Sequence, residues 1–208
     1  MPYNNRMEQI RKRLFIGKKT GSKEREKLII LAAANECNTL VFSLDDRFFK
    51  SRKSGISKLI KHYDLNIEAG GHDLSLLLPR RLFFFHRDLF RMMQGKRKID
   101  RHFCPTNPKT ISIISERAKI LIARTVQKTT ALRIFHLLPD SGYENTWCAC
   151  PACRAFRPAE QYLIAVNTTA DILAKIDPDA RLFYTDFDTA PSDAPRLAVR
   201  TNVYKGNL

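Results

Sequence analysis

The sequence predicts an α/β fold of about five βα units, and three observations carry that expectation. Short apolar runs alternate with longer amphipathic ones, as strands do when each is followed by a crossover helix. Gly and Pro punctuation separates these runs. At 208 residues, 44% hydrophobic and 27% charged, the chain has the size and composition of an ordinary globular protein with one sizeable core. Five units in one order fit either a doubly wound sheet or part of a (β/α)₈ barrel, a full barrel typically needing ~250 residues. One domain over residues 1–208 is the expectation.

Leu14-Phe15-Ile16 reads as the first strand, followed by a helix over Glu24 to Glu36 rich in Leu, Ile and Ala. Thr39 to Leu44 is the second strand, Gly55 to Tyr63 the second helix and Asn66 to Ala69 the third strand. Gly70 to Pro108 differs: it is rich in Phe, Arg and His and holds Pro79, Gly95 and Pro105, so it reads as an extended connection with one short helix near Asp88 to Gln94. Connections of this length inside compact domains are usually functional. Asn107-Pro108 then opens a long helix to about Lys128. Leu132 to Leu138 is the fourth strand, Ala159 to Ile176 a helix, and Leu182 to Thr185 the fifth strand.

Lys and Arg number 36 against 21 Asp and Glu, and +11 of the resulting +15 falls in residues 1–100. The basic residues are scattered, as in Arg11-Lys12-Arg13 and Lys96-Arg97-Lys98, without aromatics interleaved in an RNA-reading order, so nucleic acid is disfavoured as a partner. No run approaches the ~20 apolar residues of a membrane span. The N-terminus lacks a signal-peptide core, which predicts a cytoplasmic protein. Five cysteines in such a compartment argue against disulfides. Cys37 reads as a small buried hydrophobe inside a helical stretch. Neither a Walker loop nor a G-x-G-x-x-G fingerprint occurs, which disfavours nucleotide binding.

Chemistry is expected where strands end, because loops there converge on one face. Behind the fourth strand stand Asp140 and Glu144, four positions apart, which a helical turn would place on one face. Paired carboxylates suit glycoside hydrolysis, one donating a proton to the leaving oxygen and the other acting as nucleophile, base or stabiliser. Asp45-Asp46, Glu68, Asp73, Asp186 and Asp188 fall at other strand ends. His72 follows Gly70-Gly71, residues that permit unusual backbone angles and close ligand approach. Tyr143, Trp147 and Phe83-Phe84-Phe85 are candidates for a sugar-stacking wall. His72, Asp73, Tyr143, Trp147 and Asp186 are thus the candidate substrate-binding residues.

Cys148-x-Cys150-x-x-Cys153 is more specific, since such thiolates can close on one tetrahedral Zn²⁺. The fourth ligand must come from elsewhere, with Cys104 and His102 as candidates. Such a clamp would tie the long connection to the loop carrying Asp140.

Taken in order, Gly70-Gly71-His72, Leu78-Pro79, His86 with Phe90, Gly95-Lys96-Arg97, Cys104-Pro105-Thr106-Asn107-Pro108, Pro139-Asp140-x-Gly142 and Trp147-Cys148-x-Cys150-x-x-Cys153-Arg154 resemble domain of unknown function 4838. That family is similar to hexosaminidase and α-glucuronidase barrels, and the resemblance covers roughly residues 66–186. It implies a partial (β/α)₈, TIM-barrel-like scaffold and carbohydrate as ligand, with Asp140 and Gly142 on the family's Asp-Gly loop. The expectation is therefore a glycoside-hydrolase-like protein that hydrolyses or binds a glycan. The alternatives are a non-catalytic carbohydrate-binding module and a zinc-containing nucleic-acid-associated protein. A five-stranded partial barrel would leave inner-face residues such as Val41, Ile67 and Phe183 uncovered, predicting self-association or a second chain that completes the barrel.

Overall fold

The computed structural model describes residues 12–17, 20–49, 55–100, 102–128, 133–138, 147–185 and 198–205. Six parallel strands form one sheet in the order β1 (Arg13–Ile16), β2 (Thr39–Phe42), β3 (Asn66–Gly71), β6 (Ile134–Leu137), β7 (Arg181–Tyr184) and β8 (Val203–Lys205). The helices between them are α1 (Ser22–Ala34), α2 (Gly55–His62), a short α3 (Leu74–Leu77), α4 (Pro108–Lys128) and α5 (Pro158–Ile176). Each new strand joins the same side of the sheet, with no reversal of order. Right-handed crossovers then place the connecting helices on one face, which is barrel winding and not the double winding that a reversal would produce. The fold is α/β, a partial (β/α)₈ barrel.

Local chemistry explains how the units close. Glu36 and Asp64 take left-handed φ values of 61° and 51°, and the Cys37 and Leu65 N–H groups reach back to the Ala32 and Ile60 carbonyls at 2.9 and 3.0 Å. These are Schellman-type endings that turn α1 and α2 sharply into the next strand. Cys37 accordingly lies just beyond α1, half-buried, and not within a helix. At α4 the Asn107 side-chain oxygen accepts the Lys109 N–H at 2.9 Å and Pro108 occupies the first helical position, as the sequence predicts.

Register separates the two faces of the sheet. Ile16, Leu40, Phe42, Ala69, Phe135, Leu137, Leu182 and Val203 face the helices and form the main core with Ile29, Ile60, Ile114, Leu121, Leu163, Val166 and Leu173. Arg13, Phe15, Val41, Glu68, His136, Phe183 and Tyr204 alternate with them and share the opposite, inner face.

The structure corrects several expectations. A sixth strand, β8, follows the five that were anticipated. The helix expected near Asp88 to Gln94 is a 3₁₀ turn (Arg87–Leu89) running into a hairpin, β4 (Met92–Met93) and β5 (Lys96–Arg97). Gln94 and Gly95, both at positive φ (48° and 74°), form its two-residue turn. Val41 pairs with Glu68, so Ile67 turns to the helix face and packs on the core. The inner face is not bare either. Val41, Glu68 and His136 are buried, His136 against the Phe15 and Phe183 rings, while Phe15 and Tyr204 remain 39% exposed.

Candidate functional site

The C-terminal strand ends are held together by polar bonds that begin at β3. Gly70 has φ +116°, and a Cβ there would lie 1.8 Å from the His136 carbonyl oxygen, so this position requires glycine. The Leu138 N–H donates to the Gly71 carbonyl at 2.8 Å, and the Tyr162 hydroxyl from α5 donates to the Leu137 carbonyl. The end of β6 is thereby fixed beside the end of β3, three residues before Asp140 in sequence.

The acids at these ends are engaged. Asp73 is buried, accepting the Ser43 hydroxyl at 2.7 Å and the Leu44 N–H at 2.9 Å, which braces the β2 loop against β3. Asp45 lies 3.2 Å from the same hydroxyl. Asp46 receives both terminal nitrogens of buried Arg25 at 2.7 and 2.8 Å, and the same guanidinium also bonds the Thr20 and Gly17 carbonyls. Deeper on the inner face, one oxygen of Glu68 meets Arg13 Nε at 2.8 Å and His136 Nε2 at 2.5 Å. Phe15 packs edge-on against the His136 ring, Phe183 lies 5.7 Å from it, and Phe183 stacks on Tyr204. Glu68 is thus a buried carboxylate held by Arg13 and His136, an arrangement that costs stability when one member is lost.

His72 is exposed at the end of β3. Trp147 is buried, with its ring between His102 and Tyr162 at 5.3 and 6.3 Å. Asp140, Tyr143, Glu144, Asp186 and Asp188 lie outside the described residues.

The cysteines come together as the sequence suggests. Cys104, Cys148, Cys150 and Cys153 are all buried, and their sulfurs lie within 4.8 Å of one another. Cys104 Sγ is 3.7 Å from both Cys150 and Cys153 Sγ. That spacing is far beyond a disulfide. Four sulfurs about 2.3 Å from a tetrahedral ion would stand roughly 3.8 Å apart, so this donor set fits one metal ion. Of the two anticipated fourth ligands the structure selects Cys104. His102 instead lies buried against Trp147, where loss of hydration pushes its pKa down to about 4 and keeps the ring neutral.

Neighbouring groups hold the sulfurs in place. The Met92 N–H points at Cys148 Sγ at 3.3 Å, Arg97 Nη1 lies 3.9 Å from the same sulfur, and Thr106 Oγ1 is 3.1 Å from Cys153 Sγ. Gln161, one turn into α5, accepts the Cys148 N–H at 3.0 Å and donates to the Cys148 and Cys153 carbonyls at 3.1 and 3.3 Å. Without a cation, the neighbouring Cys148, Arg97 and Thr106 groups hold the Cys104 thiol down to about 4, while the nearness of Cys104 and burial push Cys148 up. Burial pushes Cys153 up to about 11. Metal binding would release the remaining thiol protons.

Sequence reasoning missed Gln161, the β4–β5 hairpin and the Arg13–Glu68–His136 cluster. Gln161 carried a readable signal, an amide directly before the apolar run Tyr162-Leu163-Ile164-Ala165-Val166.

An open parallel half-barrel with loops gathered at its strand ends defines the fold class, and solved structures share it. The chain has a TM-score of 0.57 to a β-galactosidase from Bacillus circulans sp. alkalophilus, at 11% identity, covering 84% of this chain and 36% of that one. An α-galactosidase of glycoside hydrolase family 36 from Geobacillus stearothermophilus scores 0.46 at 12% identity, over 80% and 26%. An exo-β-1,4-mannosidase from Opitutaceae bacterium strain TAV5 scores 0.42 at 15%, over 83% and 31%. The first carries the fold; the other two add no argument at their scores. This chain spans about a third of the β-galactosidase, 36% of its length. No family model and no curated protein matches the sequence, so the resemblance to domain of unknown function 4838 stands on its motifs alone. Among the described residues no helix is long and apolar enough to cross a membrane.

Proposed function

We propose that this chain is a carbohydrate-active protein of glycoside-hydrolase type that hydrolyses a glycan at the C-terminal strand ends. Asp140 acts as acid/base or stabilising carboxylate and Glu144 is its partner. One observation carries the assignment: Asp45, Asp46, Glu68 and Asp73, the acids described at or near these ends, all have polar partners within the fold. Carboxylate chemistry on this face therefore falls to the loop behind β6 and to Asp186. The same observation favours a second reading, a module that binds glycan without turnover, because none of those four acids is left to pair with Asp140. Reducing-sugar release across aryl glycosides separates them. Release that Asp140→Asn abolishes supports hydrolysis; glycan binding without release supports the module; neither binding nor release overturns both. The nucleic-acid reading gains nothing from the solved structure that shares this fold, whose name describes a β-galactosidase.

The four-cysteine cluster is read as a structural Zn²⁺ site. An all-thiolate closed set suits zinc or iron, and such structural sites contribute folding energy. Elemental analysis of chain purified without chelator should give about one zinc per chain. A metal-free, folded protein would overturn this assignment.

A further inference from the structure

The segment between α3 and β4 presents an unusual surface. Phe84 and Phe85 are adjacent and 71% and 82% exposed, whereas Phe83 beside them packs edge-on against buried Phe90 at 5.3 Å. The turn that carries them is tied down. Leu82 N–H bonds the Pro79 carbonyl at 3.1 Å, and the Phe85 and His86 N–H groups both return to the Leu82 carbonyl at 3.2 and 2.8 Å. Two rings are thus held in water by a turn anchored to the core.

The surroundings are cationic. Residues 80–109 hold nine Lys or Arg against two acids, Asp88 and Asp100. Both acids are occupied: Asp88 accepts the Asn107 amide at 2.7 Å, and Asp100 takes Arg91 and the His102 N–H. Arg81, Arg87, Lys96 and Lys98 are exposed, and Lys109 Nζ stands 3.3 Å from the His86 ring.

We propose that the Phe84–Phe85 turn is a wedge that docks this chain on an anionic lipid surface, with the cations of the same insertion holding it there. An aromatic that serves as a platform for a base or sugar is packed on one face, so rings this exposed suit insertion better than stacking. Cations spread along an insertion are engaged together by a planar anionic surface. Peripheral docking needs no membrane-spanning segment, and it is independent of any glycan chemistry at the strand ends.

The test is co-sedimentation of the 208-residue chain with vesicles of phosphatidylcholine alone or mixed with phosphatidylglycerol, at low and high salt. The chain should bind the mixed vesicles at low salt and release at high salt. Phe84→Ser with Phe85→Ser should lower partitioning about tenfold or more. Arg81→Gln with Lys98→Gln should lower it roughly thirtyfold. All four side chains are exposed, and circular dichroism checks that each variant is folded. Absence of binding by the parent chain overturns the proposal, and so does a phenylalanine variant that binds as the parent does. A sizing shift lost in the phenylalanine variant would instead assign the wedge to a second copy or partner protein, and binding of single-stranded DNA but not vesicles would assign it to nucleic acid.

Discussion

At the residue scale, the strand-end face depends on a few positions where one side chain has no substitute. Gly70→Ala would force a Cβ into the His136 carbonyl at a backbone angle that L-residues rarely adopt. It should cost about 4 kcal/mol or more, or prevent accumulation of folded chain, as urea unfolding would read directly. Glu68→Gln tests the inner-face ion cluster. It leaves half-buried Arg13 and buried His136 without their shared carboxylate, and a loss of roughly 3–5 kcal/mol is expected. A change under about 1 kcal/mol would mean that the cluster is solvated and dispensable. The need for unusual backbone angles at Gly70-Gly71 was legible in the sequence. The engagement of Glu68 was not, because its partners lie 55 and 68 residues away. Spacing along the chain carries no information about such a contact.

At the scale of elements, the cysteine clamp joins two connections that the sheet alone leaves separate. The Ala149 N–H bonds the Met92 carbonyl at 2.8 Å, so the β4–β5 hairpin and the loop before α5 meet at the four clustered sulfurs. Removing metal with a chelator should raise amide exchange at Met92 and across residues 147–157 before β2, β3 or β6 opens, because site formation and loop folding are linked. Uniform loosening of the whole chain would show that the clamp is integral to the core. Cys150→Ser should abolish metal retention, while Cys37→Ser, outside the cluster, should leave it unchanged. The central strands and long helices were legible because each runs long enough to show its period. The Cys-x-Cys-x-x-Cys spacing was legible for a similar reason, being local. The hairpin and β8 escaped notice because strands of two and three residues, built from Met-Met, Lys-Arg and Val-Tyr-Lys, have no room for alternation.

At the scale of the molecule, an open sheet has edges and an inner face to satisfy. Among the described residues β1 pairs only with β2 and β8 only with β7, so both outer strands present backbone groups that another strand can take. The inner face adds Phe15 and Tyr204, each 39% exposed, around the aromatic cover of His136. An apolar rim beside unpaired edges favours association, either with a second copy or with a chain that supplies further strands. Light scattering across a concentration series should therefore show reversible self-association at low salt. Phe15→Lys with Tyr204→Lys should weaken it, whereas changing Phe84 and Phe85, which lie outside the sheet, should not. A protease-resistant monomer at every concentration would mean that edges and inner face are already covered, and the open-barrel account of this molecule's assembly would then have to be abandoned.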